Sequence, residues 1–305
     1  MISIITAYYN RKKLFIKTLE SIASSNTKEI FEVIAVDDGS DEHERLEDLI
    51  VKYPFLKVIR LDKKNKWYNN SCIPFNEGFK AAKGDKIIIQ NPECYHLDDV
   101  LDYVSNNCNN KEYLSFACFS LDKESTDAIE VKYNKETIET FINDETKHSR
   151  KDGCFGWYNH SVKRPEAFHF CAAITSDNLR KLGGFDEMYS LGIGYDDNEF
   201  IRRVRKFLSL KFVDDIIVLH QNHYNPKSKS FQNRKYSKSL YQINYLIYKN
   251  DFSTDFSKNK NSFLLSLKQK KYYLYPRIIF RLLATPEFYQ LLYKKLQKNK
   301  KNNAI

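Results

Sequence analysis

No stretch of this 305-residue chain approaches the about 20 consecutive apolar residues that a membrane span requires. The apolar start, residues 1–7, is too short for a secretory signal and has no basic leader. A chain lacking both is expected in the cytosol. Its six cysteines, Cys72, Cys94, Cys108, Cys118, Cys154 and Cys171, are never spaced as Cys-x-x-Cys, which points away from a zinc ribbon or a redox pair and towards buried free thiols. No internal repeat interrupts the reading. Also missing is a glycine-rich, basic phosphate loop after the first apolar run, where Tyr8-Tyr9-Asn10-Arg11 stands instead, and this counts against a nucleotidyltransferase.

The chain has charge in plenty, at +10 overall, but unevenly spread. Residues 226–305 hold 18 Lys and Arg against 3 Asp and Glu, which leaves residues 1–225 with 31 against 36. A basic appendage on a mildly acidic body fits a nucleotide-using enzyme better than a nucleic-acid binder, whose basicity would spread over the binding face.

Apolar runs at residues 2–7 and 31–36 flank a segment in which Leu14, Thr18, Leu19 and Ile22 recur at helical spacing. Short strands are expected at 57–61 and 86–90, with a helix over 75–82 between them, and another strand at 212–219. Strands alternating with helices predict a largely parallel, doubly wound sheet whose ligands bind at the carboxyl ends of the strands. Those ends are Tyr8–Arg11, Asp37–Ser40 and Asn91–Glu93. Residues 105–170 are less regular and read as an insertion and acceptor-side loop. Beyond Pro226 the pattern turns helical, with Pro276 and Pro286 expected to break long amphipathic helices.

Gly183-Gly184-Phe185-Asp186-Glu187 pairs two glycines suited to a tight turn, and Tyr195-Asp196-Asp197-Asn198-Glu199-Phe200 follows where a helix should begin. Acidic residues in a first helical turn complement the helix dipole in proteins of every function. Here they have company. The segment resembles the acceptor-site helix of glycosyltransferase family 2, and three further stretches resemble that family's motifs in the same order. Ala7-Tyr8-Tyr9-Asn10-Arg11 looks like the opening strand signature, and Asp37-Asp38-Gly39-Ser40 is similar to the Asp-Asp-Gly-Ser turn. Asn76-Glu77-Gly78 resembles the helix before the metal strand, which leads to Asn91-Pro92-Glu93 where most relatives have Asp-x-Asp.

The resemblance covers about residues 2–223. It implies a GT-A fold, mainly a parallel doubly wound sheet, with residues 1–225 as the catalytic domain and residues 226–305 as a basic, helical C-terminal extension. It implies an inverting transferase that moves a sugar from a nucleotide-diphosphate donor, expected to be a UDP-sugar, to a glycan or lipid-linked hydroxyl in polysaccharide or glycoconjugate synthesis. Asp197 is then the catalytic base, and Ala7, Tyr9, Arg11, Asp37, Asp38, Asn76 and Asn91 the donor-binding residues. An aspartate after the second strand can accept the uracil imide N–H while Tyr9 lies against the ring. Asp196 stands where the family usually has glutamate. Glu93 is the expected ligand for Mn²⁺ or Mg²⁺, one formal charge short because Asn91 is neutral, with His220 or His223 completing the sphere and His220 favoured. Trp157 and His160, with Asp196, are assigned to acceptor or sugar contact, because aromatic faces stack on sugar rings.

Two alternatives stay open: a nucleotidyltransferase, and a non-catalytic relative that binds an anionic surface or nucleic acid. Asp38, Glu93 and Asp197 together argue against a dead site. For the tail, residues 263–296 give helices one apolar and one cationic side, which suits either peripheral contact with the inner membrane face or packing on the catalytic domain or a second subunit.

Overall fold

A computed structural model describes residues 1–129, 135–149, 155–223, 234–250, 262 and 264–290. The expected domain boundary at 225/226 and much of the tail lie outside these residues. The first apolar run forms β1 (Ile2–Tyr8), followed by α1 (Lys12–Ala23), β2 (Phe31–Asp37), β3 (Leu56–Arg60), α2 (Cys72–Ala81) and β4 (Lys86–Gln90). These four strands are parallel, in the order β3-β2-β1-β4. β1 is buried along nearly its whole length because both its faces are covered. Ile2 and Ile4 enter one cluster with Phe15 and Leu19 of α1, while Ile5 enters another with Ile73 and Phe75 of α2.

The second half of the sheet departs from the parallel pattern. It comprises β5 (Cys94–His96), β6 (Glu112–Ser120), β7 (Gly156–Asn159), β8 (Cys171–Thr175) and β9 (Ser209–His220), interleaved with α3 (Val100–Asn107), α4 (Lys123–Ala128), α5 (Lys135–Asn143), α6 (Ser176–Leu182) and α7 (Asp196–Phe207). The order continues from β4 as β8-β6-β9-β5, with β7 on β6. β8 runs antiparallel to both β4 and β6, and β5 antiparallel to β9. Residues 105–170, expected to be an insertion, thus contain a central strand: β6 is buried along all but its first residue. Burial on both faces removes the alternation that marks a strand in sequence.

The turn before α7 is held from several sides. Gly183 and Gly184 have φ of 77° and 67°, and a Cβ on Gly184 would lie 2.5 Å from Asn76 Oδ1. Asn76 uses the room, donating to the carbonyl of Phe185 (2.9 Å) and accepting from its N–H (2.9 Å). Arg203 on α7 makes a forked pair with Glu199 one turn earlier (2.7 and 2.6 Å) and donates to the carbonyls of Gly184 (2.9 Å) and Leu182.

Helices α8 (Arg234–Lys249) and α9 (Leu267–Leu283) close the same site from below. Asn244 of α8 donates to the carbonyls of Tyr189 (3.0 Å) and Gly194 (2.7 Å), and a Cβ on Gly192 would lie 2.2 Å from its Oδ1. From α9, Lys270 is fully buried, with its ammonium on Glu187 and 3.1 Å from Glu77, while Leu274, Ile278 and Leu282 share a cluster with Phe185 and Phe200. The described part of the tail therefore packs on the catalytic core and has no core of its own. Its other side exposes Lys268, Lys271, Tyr272 and Phe280. Pro276, expected to break this helix, lies inside it. The carbonyl one turn back that loses its partner belongs to Tyr272, which is 70% exposed and open to water.

Removing the Lys270 ammonium leaves Glu187 buried without its cation, and Lys270→Ala should lower unfolding stability by about 3–5 kcal/mol. Lys268→Ala, on the exposed side, should stay within about 0.5 kcal/mol. Urea titrations of the two variants check the difference.

Candidate functional site

The carboxyl ends of β1 and β2 are knitted together before any ligand arrives. Asp37 is fully buried, accepting from the Ser40 N–H (2.8 Å) and from Arg60 (2.7 Å). Asn10, at φ 47°, exchanges two hydrogen bonds with Asp41 (2.8 and 2.9 Å), and its N–H donates to Ser40 Oγ (3.1 Å). Tyr8 points inward and donates to the Glu44 carbonyl (2.7 Å). What these contacts leave outside is Tyr9, 39% exposed, and Asp38. Asp38 accepts from Tyr68 (2.6 Å) and Lys66 (2.6 Å), and the Lys66 ammonium stands 4.9 Å from the Tyr9 ring centre. Burial pushes the Asp38 carboxyl up from its ordinary value, against the pull of Lys66 and Tyr68. An aromatic face, an acceptor and a cation thus share one rim. Lys66 and Tyr68 carry no motif, and only the fold reveals them.

A second group forms where β5 meets β9. Their register sets Cys94 opposite His220, so Glu93, one residue before, lies against the end of β9. Glu93 is 1% exposed. Its Oε1 lies 3.1 Å from His220 Nε2 and 3.2 Å from His223 Nε2, and its Oε2 accepts from Arg11 (2.6 Å). Burial works to raise this carboxyl, but Arg11, His223 and His220 outweigh it and hold it well below the usual carboxylate range. The three ligand atoms suit a divalent ion, since bonds of about 2.0–2.2 Å place neighbouring ligands about 3 Å apart. Both histidines converge on Glu93, where the sequence favoured His220. Asn91 adjoins them and binds the chain through its backbone, its N–H donating to the Phe170 carbonyl (3.1 Å).

The third group is at the head of α7, whose first turn holds Asp196, Asp197 and Glu199. Asp197 keeps 26% of its side chain exposed, and His169 Nδ1 contacts its Oδ1. Asp196 is buried and accepts from Asn70 (2.9 Å). Burial and the neighbouring Asp197 push the Asp196 carboxyl up to about 6. Residues 168–170 connect the two groups: His169 reaches Asp197, while the next residue, Phe170, stacks edge-on to His220 (5.6 Å) and receives the Asn91 N–H.

Several expected site residues lie elsewhere or do other things. Asn76 and Asp37, expected on the donor, are fully buried with their polar atoms engaged in turns of the protein itself. Asp196, expected on the acceptor or sugar, is turned inward to Asn70. Ala7 packs at the end of β1. Trp157 stacks on Phe119 (5.1 Å) in a separate small cluster, and His160 Nδ1 accepts from the N–H groups of Val162 (3.1 Å) and Lys163 (3.3 Å) in its own turn. Tyr158, next to Trp157 on β7, is the residue that faces His220, 4.8 Å between ring centres.

A half-parallel sheet with a carboxylate–histidine group at its strand ends, and a carboxylate at the head of the helix that follows, defines a glycosyltransferase of the GT-A fold. The chain belongs to glycosyltransferase family 2, whose family model, described as glycosyl transferase family 2, matches residues 3–162. Among solved structures it is similar to the mannosyltransferase PcManGT from Pyrobaculum calidifontis in complex with GDP-Man and Mn²⁺, with a TM-score of 0.51 at 14% identity over 97% of this chain and 79% of that one. GalNAc-T7 with UDP, GalNAc and Mn²⁺ gives 0.50 at 13% identity over 90% of this chain and 54% of that one. At such identities the likeness is one of fold. No curated protein matches the chain in sequence.

Glu93→Gln keeps the side chain's shape and removes its charge. Because losing a mere outer partner of a metal ligand costs about 10–100-fold in affinity, this change should weaken Mn²⁺ binding at least about tenfold. Calorimetric Mn²⁺ titration checks it, and an unchanged isotherm would place the cation elsewhere.

Proposed function

We propose that the protein is an inverting transferase that moves a sugar from a nucleotide-diphosphate donor, a UDP-sugar, to a hydroxyl of a glycan or lipid-linked acceptor. The observation that supports this reading is the link between Asp197 and the Glu93, His220 and His223 group through the adjacent residues His169 and Phe170. At the donor end, Asp38 offers the acceptor for a uracil imide N–H, and the exposed face of Tyr9 offers a stacking surface. Arg11 and Lys66 supply positive charge beside the nucleotide. Mn²⁺ or Mg²⁺ held by Glu93, His220 and His223 would neutralise charge on the leaving diphosphate.

Asp197 takes the proton from the acceptor hydroxyl as that oxygen bonds to the anomeric carbon and the bond to the diphosphate breaks. The nucleoside diphosphate departs with the bonding pair, and a single displacement inverts the centre. The exposed side of α9, with Lys268, Lys271, Tyr272 and Phe280, supports peripheral contact with an anionic membrane as the place of work.

Nucleotide release should be detected from at least one member of a panel of UDP-sugars with Mn²⁺ and be suppressed by EDTA. Release from GDP-mannose alone would move the donor from UDP to GDP, and no release from any donor would count against the transferase reading. Asp197→Asn should leave donor binding intact while transfer falls by about 10²–10⁴, the usual effect of losing a general base. Near wild-type turnover in that variant would remove Asp197 from the role.

A further inference from the structure

We propose that His169 is a positioning residue for the catalytic base: its Nδ1–H holds Asp197 Oδ1, fixes the direction of the carboxylate, and leaves Oδ2 to take the acceptor's proton. The inference rests on Asp197 being the base.

The geometry is specific. His169 is 6% exposed, and two rings fix its plane: Phe75 meets it edge-on at 4.9 Å and 83°, and Phe185 packs at 4.7 Å. Its Nδ1 contacts Asp197 Oδ1, and its backbone N–H approaches the same oxygen at 3.4 Å. One carboxylate oxygen is thus held twice by one residue, and among the described residues no donor holds the other. The contact requires the proton on Nδ1, so the imidazole gives a hydrogen bond in either charge state.

The need for such a partner follows from the surroundings. Asp196 and Asp197 are adjacent in one helical turn, and like charges so close tend to share a proton. Among the described residues, Tyr113 of β6 faces Asp197 and Cys72 of α2 faces Asp196, and neither offers a cation. Asn70 serves Asp196 alone. His169 is the donor that reaches Asp197. Burial by itself would lower the His169 imidazole, yet Asp197, with Asp196 behind it, raises it above its ordinary value. A merely structural histidine between phenylalanines would be held low.

Two measurements test this. In ¹⁵N-histidine NMR titrations of the full chain, His169, assigned by its loss in His169→Asn, should titrate above the ordinary histidine value. In Asp197→Asn it should fall by about one unit or more, the usual effect of losing an adjacent opposite charge. A titration indifferent to Asp197→Asn overturns the pairing, and this arm needs no turnover. It therefore separates failure of the pairing from failure of the transferase reading.

In the second measurement, the pH profile of kcat/KM is recorded on whichever UDP-sugar the wild type turns over. Its acidic limb should move up by about one unit in His169→Leu, the general effect on a carboxylate of losing a hydrogen-bond donor. Donor KM should stay unchanged. His169→Asn places an amide N–H near the Nδ1 position and should bring the limb most of the way back. A limb that stays put in both variants, or falls in kcat that Asn does not rescue, overturns the positioning role. Thermal melts of each variant separate misfolding from either result.

Discussion

The left-handed turn at Gly183–Gly184 is the constraint on which the rest of the site depends. It lets the Asn76 amide approach the backbone where a Cβ would collide, and through that approach α2 is tied to the segment leading into α7. Arg203 ties the same turn to α7 from within, by pairing with Glu199 and bonding two turn carbonyls. Lys270 reaches Glu187 of the same segment from α9. With its entry fixed on these sides, α7 presents Asp197 in a defined direction. The acidic first turn, which would suit any helix by its dipole, is held in one place.

The metal group shows a different economy of charge. With Asn91 in place of an aspartate, one carboxylate remains, and two imidazoles offer the other atoms that could hold a metal ion. Arg11 takes one oxygen of Glu93 and the histidines share the other, so the buried carboxylate is balanced rather than stranded. Arg11, at the N-cap of α1 after β1, and Glu93, after β4, follow neighbouring parallel strands, and their pair ties the two strand ends together.

The C-terminal helices divide their residues between two tasks. Asn244 and Lys270 point inward and brace the loop ahead of α7, while Lys268, Lys271, Tyr272 and Phe280 are exposed. The charge asymmetry between the two ends of the chain gives no hint of this division, because one buried lysine counts the same as an exposed one. Burial of Lys270 is possible only because Glu187 and Glu77 await it, and those partners lie 83 and about 190 residues away along the chain.

The sequence by itself determined the parallel half of the sheet, the strand ends where ligands collect, the order of four family motifs, and Asp38, Glu93 and Asp197 as the residues to watch. All of these are local: a run of β-branched residues, a turn of aspartate and glycine, and an acidic start to a helix are set by neighbours a few positions apart. Tertiary structure alone decided which partners the polar residues take. Asn76 and Asp37 carry family motifs yet spend their hydrogen bonds inside the protein, while Lys66 and Tyr68 carry none and hold Asp38. It also decided that β6 is a central strand and that both His220 and His223 reach Glu93, because the register of β5 on β9 sets that distance. The physical reason is the same in each case. A buried polar atom takes whichever partner the packing of distant segments brings within about 3 Å, and a one-dimensional pattern does not carry that distance.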